Sequence, residues 1–157
     1  RDLKPGNVMV NVFGEVKLID FGISCPLQQE DWRSGPTYGT PAYMAPEQLS
    51  NERQWPSTDL FPVGVMLYEM MTGRRMYSEG SAKKLLAKRL AAQTQPIRKL
   101  QQSTGCRLMD RVITRSIALV PTERYESAGL LRRVLNMVTQ YRASGPSLAE
   151  FLTCEGY

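Results

Sequence analysis

Two short runs, Arg1-Asp2-Leu3-Lys4-Pro5-Gly6-Asn7 and Ile19-Asp20-Phe21-Gly22, constrain this chain more than any other feature. The residues between them, 8–18, are rich in Val and other apolar side chains and are broken by Phe13-Gly14-Glu15, which reads as strand, turn, strand. A hairpin of that length brings its ends side by side. Asn7 and Asp20 can then converge on one divalent cation while Asp2 faces a substrate hydroxyl. That is the layout phosphoryl transfer from a nucleotide requires.

The rest of the chain reads as helices. Residues 23–47 are rich in Gly, Pro, Ser, Thr and Gln and lack periodicity, and a stretch of that kind inside a compact domain is more often functional than not. Ser57 or Thr58 can cap a helix that ends near Met71 and is stopped by Gly73. Ser81 can cap a second helix reaching Ala92, with Leu85, Leu86 and Leu90 on one face. Apolar residues at 108, 109, 112, 113 and 117 predict a third, closed by Pro121. Ser127 opens a fourth carrying Leu130, Leu131, Val134, Leu135 and Val138, and Ser144-Gly145-Pro146 breaks the chain before a short tail. Pro62 falls in a helical first turn, where its missing N–H is tolerated.

A third string, Gly39-Thr40-Pro41-Ala42-Tyr43-Met44-Ala45-Pro46-Glu47, follows the first two in order. Together the three resemble the catalytic loop, the Asp-Phe-Gly motif and the end of the activation segment of a protein kinase. The resemblance implies a mainly α fold with a small β-hairpin: the large, C-terminal lobe of the protein kinase-like α+β fold, incomplete. It assigns residues 1–142 to a partial kinase domain and 143–157 to a C-terminal extension or the start of a linker. Gln48 after Glu47, and Arg124-Tyr125-Glu126-Ser127-Ala128, look more like bacterial-type Ser/Thr kinases than animal ones.

By the same resemblance Asp2 is the catalytic base, and Lys4 neutralises the transferring phosphoryl group in the Ser/Thr-kinase pattern, so the acceptor is a protein Ser or Thr. Asn7 and Asp20 hold Mg²⁺, a cation that takes hard oxygen donors. Met9 packs beneath the adenine of ATP, and Phe21 packs inward and sets the direction of Asp20. Thr40 hydrogen-bonds Asp2 and Lys4, while Pro41 and Met44 line the pocket for the residue after the acceptor. Arg1 clamps a phosphate on the activation segment, where Thr37 and Ser34 are the candidate phosphosites. Cys25 departs from the family, which often has a second basic residue there. Glu47 pairs with Arg124, and Asp59 hydrogen-bonds the catalytic-loop backbone from below. Glu69 is either a helix-surface acid or a receiver of a basic substrate side chain.

Net charge is +5 with a pI near 9.3. Lys83, Lys84, Lys88 and Arg89 on one predicted helix, and Arg132, Arg133 and Arg142 on another, read as solvated faces. No nucleic-acid reading motif accompanies them. Cys25, Cys106 and Cys154 are scattered, and with no His in the chain they form no zinc site and read as free thiols of a cytoplasmic protein. The longest apolar stretch, residues 60–71, contains Glu69 and is too short to span a bilayer. The chain starts with Arg and lacks the Gly-rich loop, strand Lys and hinge of a kinase. It reads as an excerpt that needs an N-terminal lobe in cis, inactive alone, from a parent that transfers phosphate. The competing reading is a pseudokinase or interaction module that keeps the lobe.

Overall fold

The expected hairpin forms, with its turn beginning at Asn11, ahead of Phe13-Gly14-Glu15. Strand β1 (Val8–Val10) pairs antiparallel with β2 (Val16–Leu18), Val8 opposite Leu18 and Val10 opposite Val16. Asn11 closes the turn from inside: its Oδ1 accepts from the Phe13 and Glu15 nitrogens at 3.0 and 2.9 Å. The computed structural model describes residues 1–22, 39–77, 80–92 and 107–144. Helices within them are α1 (Pro46–Leu49), α2 (Leu60–Thr72), α3 (Ala82–Ala92), α4 (Arg107–Ser116) and α5 (Ala128–Ser144), with 3₁₀ turns at Pro5–Asn7, Pro56–Asp59 and Pro121–Glu123. The expected helix-rich body with one small hairpin is present.

Three of the expected punctuation marks act as predicted. Gly73 ends α2 in the left-handed conformation, φ 65°, and its N–H returns to the Glu69 carbonyl. Ser81 Oγ accepts from Lys84 N at 3.4 Å, and Ser127 Oγ accepts from Leu130 N at 3.2 Å, so each hydroxyl satisfies one amide that the helix start leaves open. Pro62 occupies the first turn of α2, which runs unbroken to Thr72.

Helix α2 is the central element because both its sides are apolar. Leu60 joins one core cluster with Val112 and Ile113 of α4 and Leu131, Val134 and Val138 of α5. Phe61 and Val65 join a second with Ala42, Tyr43, Tyr77 and Leu85. Fully burying a side chain of this size contributes about 1.5–3 kcal/mol. Helix α4 approaches α2 closely at Gly64, where a Cβ would lie 2.7 Å from both Ile117 Cγ2 and Ser116 Cβ. Among the described residues no helix is long and apolar enough to cross a membrane.

Helix α3 departs from its expected face. Leu85 is buried, but Leu90 is 55% exposed and Arg89, expected on the solvated face with Lys83, Lys84 and Lys88, is 1% exposed. The helix is rotated so that Leu85 and Arg89, four residues apart and therefore on the same side, turn inward. Periodicity could not find this, because it counts a cation as polar wherever its charge is neutralised.

A buried ion pair joins α1 to the segment before α5. Arg124 Nη1 and Nη2 donate to Glu47 Oε1 and Oε2 at 2.6 and 2.8 Å. The remaining donors reach Ala118 O at 2.7 Å, Leu119 O at 3.2 Å and Ser57 O at 3.3 Å. Replacing Arg124 with Met leaves the Glu47 carboxylate buried and unpaired, so the unfolding free energy falls by about 3–5 kcal/mol. Adding Glu47→Leu removes the orphaned charge but not the orphaned carbonyls, so the double variant regains only part of the loss. Urea unfolding of the single and double variants measures this; identical losses would show that the carboxylate is not the source.

Candidate active site

The segment before β1 is folded around the Asp2 carboxylate. Lys4, extended at φ −158°, leads into the Pro5–Asn7 turn, and Asn7 N returns to Lys4 O at 3.0 Å. This doubling-back places three groups on Asp2. Lys4 Nζ lies 2.6 Å from Asp2 Oδ2. The buried Asn7 side chain donates through Nδ2 to the Asp2 carbonyl at 2.9 Å and, more weakly, to Oδ2 at 3.4 Å. Thr40 N donates to Asp2 Oδ1 at 3.0 Å from far along the chain.

Thr40 therefore meets Asp2 through its backbone nitrogen rather than its hydroxyl, and no bond joins it to Lys4 among the described residues. The reason is Gly39. Its φ of +125° turns the main chain onto Asp2, and a Cβ there would stand 3.2 Å from Asp2 Oδ1 and 2.8 Å from Met44 Cε. Two further ties hold the loop from below. The Arg1 backbone nitrogen lies 2.9 Å from Asp59 Oδ1. Gln48 Nε2 donates to the Arg1 carbonyl at 3.0 Å while its Oε1 accepts from Ala45 N at 2.9 Å. Gln48, noticed in the sequence only as a mark of lineage, thus fastens the loop to α1. A buried amide with donor and acceptor on opposite segments carries no sequence signal.

Asn7 and Asp20 come to neighbouring ends of the hairpin. Ile19 N donates to Asn7 O at 2.9 Å, and Asp20 follows directly. Asp20 takes a left-handed φ of 63° and accepts from Gly22 N through Oδ1 at 3.2 Å. With the Asn7 amide nitrogen directed at Asp2, its Oδ1 is the atom left to offer a cation. An amide oxygen and a carboxylate are both hard donors, the kind that Mg²⁺ takes. The described residues hold no group of three His, Cys, Asp or Glu side chains that could cage a metal.

Phe21 does not pack inward as expected; it is 67% exposed, because no described side chain covers its ring. Met9, on the outer part of the hairpin, is 55% exposed. Arg1 Nη2 is buried without a hydrogen-bond partner among the described residues. Thr37, Ser34 and Cys25 lie outside the described residues, as do Cys106, Cys154 and the tail.

Below Asp2 the segment 41–45 forms a buried shelf. Tyr43 Oη donates to Glu69 Oε2 at 2.8 Å, and Glu69 Oε1 accepts from Met76 N at 3.2 Å. Burial first, and then the Glu69 carboxylate, push the Tyr43 hydroxyl up to about 12. Glu69 is neither an unattached surface acid nor an open receptor: one oxygen braces the shelf through Tyr43 and the other holds the Met76 nitrogen.

The chain belongs to the protein kinase domain family, whose family model matches residues 1–152. Bacterial kinases are among its curated relatives. It is 31% identical over 150 residues to the serine/threonine-protein kinase PknK of Mycobacterium bovis, covering 96% of this chain and 13% of that protein. It is 35% identical over 152 residues to pkn3 of Myxococcus xanthus, covering 90% and 28%. It is 30% identical over 129 residues to PrkC of Bacillus subtilis, covering 82% and 20%. The bacterial-type resemblance read from Gln48 and the segment around Arg124 agrees with these likenesses. The chain thus spans under a third of the length of each of these relatives.

Gly39→Ala tests the approach of the loop to Asp2. A side chain at that φ and at those distances costs about 1–3 kcal/mol and must displace Met44 or the Thr40 nitrogen. The expected result is loss of the Thr40–Asp2 hydrogen bond, seen as a large shift of the Thr40 amide in ¹⁵N NMR. An unmoved resonance would overturn the assignment.

Proposed function

We propose that this chain carries the acceptor side of a Ser/Thr kinase active site, which moves the γ-phosphoryl group of ATP to a hydroxyl of a protein substrate. The observation that carries the reading is the Asp2 carboxylate held at both oxygens, by Lys4 at 2.6 Å on Oδ2 and by Thr40 N at 3.0 Å on Oδ1. A surface turn acid needs no such cradle. Asp2 orients the acceptor hydroxyl and takes its proton as the oxygen bonds to the γ-phosphorus and the bond to the departing ADP oxygen breaks. Lys4 places positive charge where the transferring group gains negative charge.

Asn7 and Asp20 would hold Mg²⁺, which when bound neutralises the triphosphate. Arg1, with a buried guanidinium nitrogen unmatched among the described residues, is suited to an anion such as a phosphorylated loop residue, and Thr37 and Ser34 are the candidates for it. ATP use supports a cytoplasmic setting. The exposed apolar hairpin face that carries Val10, Val16 and Leu18 is suited to cover by an N-terminal lobe bearing the other half of the nucleotide site. The retained Asp2, Lys4, Asn7 and Asp20 together favour catalysis over a lobe kept for interactions alone.

In the intact kinase, Asp2→Asn should lower transfer of ³²P from ATP to protein by about 10²–10⁴-fold, with ATP affinity within about twofold of wild type. Undiminished transfer would refute the base. Asp20→Asn should raise the Mg²⁺ concentration giving half-maximal rate, and an unchanged Mg²⁺ dependence would remove Asp20 from the metal site.

A further inference from the structure

Arg89 is the largest charged side chain whose burial the reading so far leaves unused. It sits in the second half of α3 at 1% exposure, and its guanidinium reaches across to the loop beneath Asp2. Nη1 donates to Met44 O, and Nη2 donates to Pro41 O and Ala42 O, each at 2.9 Å. The guanidinium lies between two rings, 4.5 Å from the centre of Tyr77 and 5.1 Å from that of Phe61. No carboxylate contacts it among the described residues. Burial pulls it down to about 10, which leaves it protonated at neutral pH.

A buried cation matched by carbonyls and ring faces instead of an acid is a costly way to fill a core, and apolar side chains of similar volume usually do as well or better. What the guanidinium supplies that no apolar group can is direction. Its planar fork fixes three carbonyls of one short segment at once, including that of Met44. Those carbonyls belong to residues that directly follow Thr40, whose nitrogen holds Asp2 at 3.0 Å. Tyr43, between them, is fastened on the opposite side by Glu69 at 2.8 Å. The shelf is thus clamped from α3 and from α2, and it continues directly from Thr40, whose nitrogen meets Asp2.

We infer that Arg89 is a positioning residue for the protein substrate: it holds the segment 41–44 in the shape that receives the substrate backbone and the side chain following the acceptor Ser or Thr. This rests on the kinase reading above and deepens it. It makes substrate selection a property of α3 as well as of the loop, because any shift of α3 moves three carbonyls of the receiving surface together. Lys83 and Lys84 lie on the exposed face of the same helix.

The test uses the intact kinase, the variants Arg89→Met and Arg89→Lys, and serine peptides that differ only in the residue after the acceptor. Arg89→Met should raise KM for the preferred peptide at least tenfold and flatten the preference for the following residue, with KM for ATP within twofold of wild type. Arg89→Lys, keeping the charge but not the fork, should recover part of the peptide KM. Val134→Ala, a cavity in the other core cluster, supplies a destabilised control and should leave peptide KM unchanged. Hydrogen exchange of a fragment covering residues 39–49 reads the clamp without any activity and should quicken in Arg89→Met. Wild-type exchange there would overturn the clamp whatever the kinetics. Quickened exchange with unaltered peptide KM and preference would overturn the substrate role, as would a KM rise of equal size in Val134→Ala. A wild-type protein that phosphorylates no peptide would overturn the kinase reading itself, and the exchange result would still decide the clamp.

Discussion

The buried pair between Glu47 and Arg124 is the constraint on which the remaining geometry depends. Glu47 opens the first turn of α1, immediately after the segment that touches Asp2, and Arg124 precedes α5. A bidentate fork at 2.6 and 2.8 Å admits only one relative placement of these two parts. Buried ion pairs add little net stability over an apolar substitute, but one with every donor engaged is highly directional. Arg124 also takes up the Ala118, Leu119 and Ser57 carbonyls, so the end of the α4 region, the start of α2 and α1 meet at one guanidinium. The Phe61 ring, 5.2 Å away, seals it.

From that joint, order passes to the site through short, named contacts. Glu47 sets α1; Gln48, next to it, holds the Arg1 carbonyl and caps its own helix at Ala45. Gly39 and Thr40 bring the main chain over Asp2 from the other end of the same segment. Arg89 and Glu69 hold the middle. The Thr40 side of the Asp2 cradle is therefore attached to the core within a few bonds, which is what a carboxylate needs if it is to meet a hydroxyl in one orientation. The hairpin ends behave differently: Asp20 and Phe21 are exposed and held mainly by local bonds, as befits groups whose remaining partners are a nucleotide, a cation and another lobe in the function proposed here.

Much of this was legible before any coordinates. The hairpin followed from an apolar, Val-rich run broken by a glycine turn, the helix starts from Ser81 and Ser127, the stop at Gly73, and the Glu47–Arg124 pair from its place in the resemblance. These are local or motif-borne signals. The misreadings share another cause. Leu90 and Arg89 were sorted by polarity, yet three carbonyls and two rings made the inside of α3 a better place for the cation. Phe21 was expected inside, yet burial is a relation between surfaces and no described surface meets it. Thr40 was expected to act through its hydroxyl, and a glycine at φ +125° presented its nitrogen instead.

The order of residue types along the chain was enough to name the side chains on which the proposed chemistry draws, the acids, the amide and the lysine, and the elements that carry them. Hydrogen-bonding capacity and periodicity are properties of neighbours, and neighbours can be read from a string. Which donors reach Asp2, which arginine is buried, and what shape the shelf beside the acceptor site takes depended on residues 38 to 77 positions apart meeting in space. Those distances come from packing α2 against two cores at once, a balance of many small contacts that no single stretch of sequence encodes.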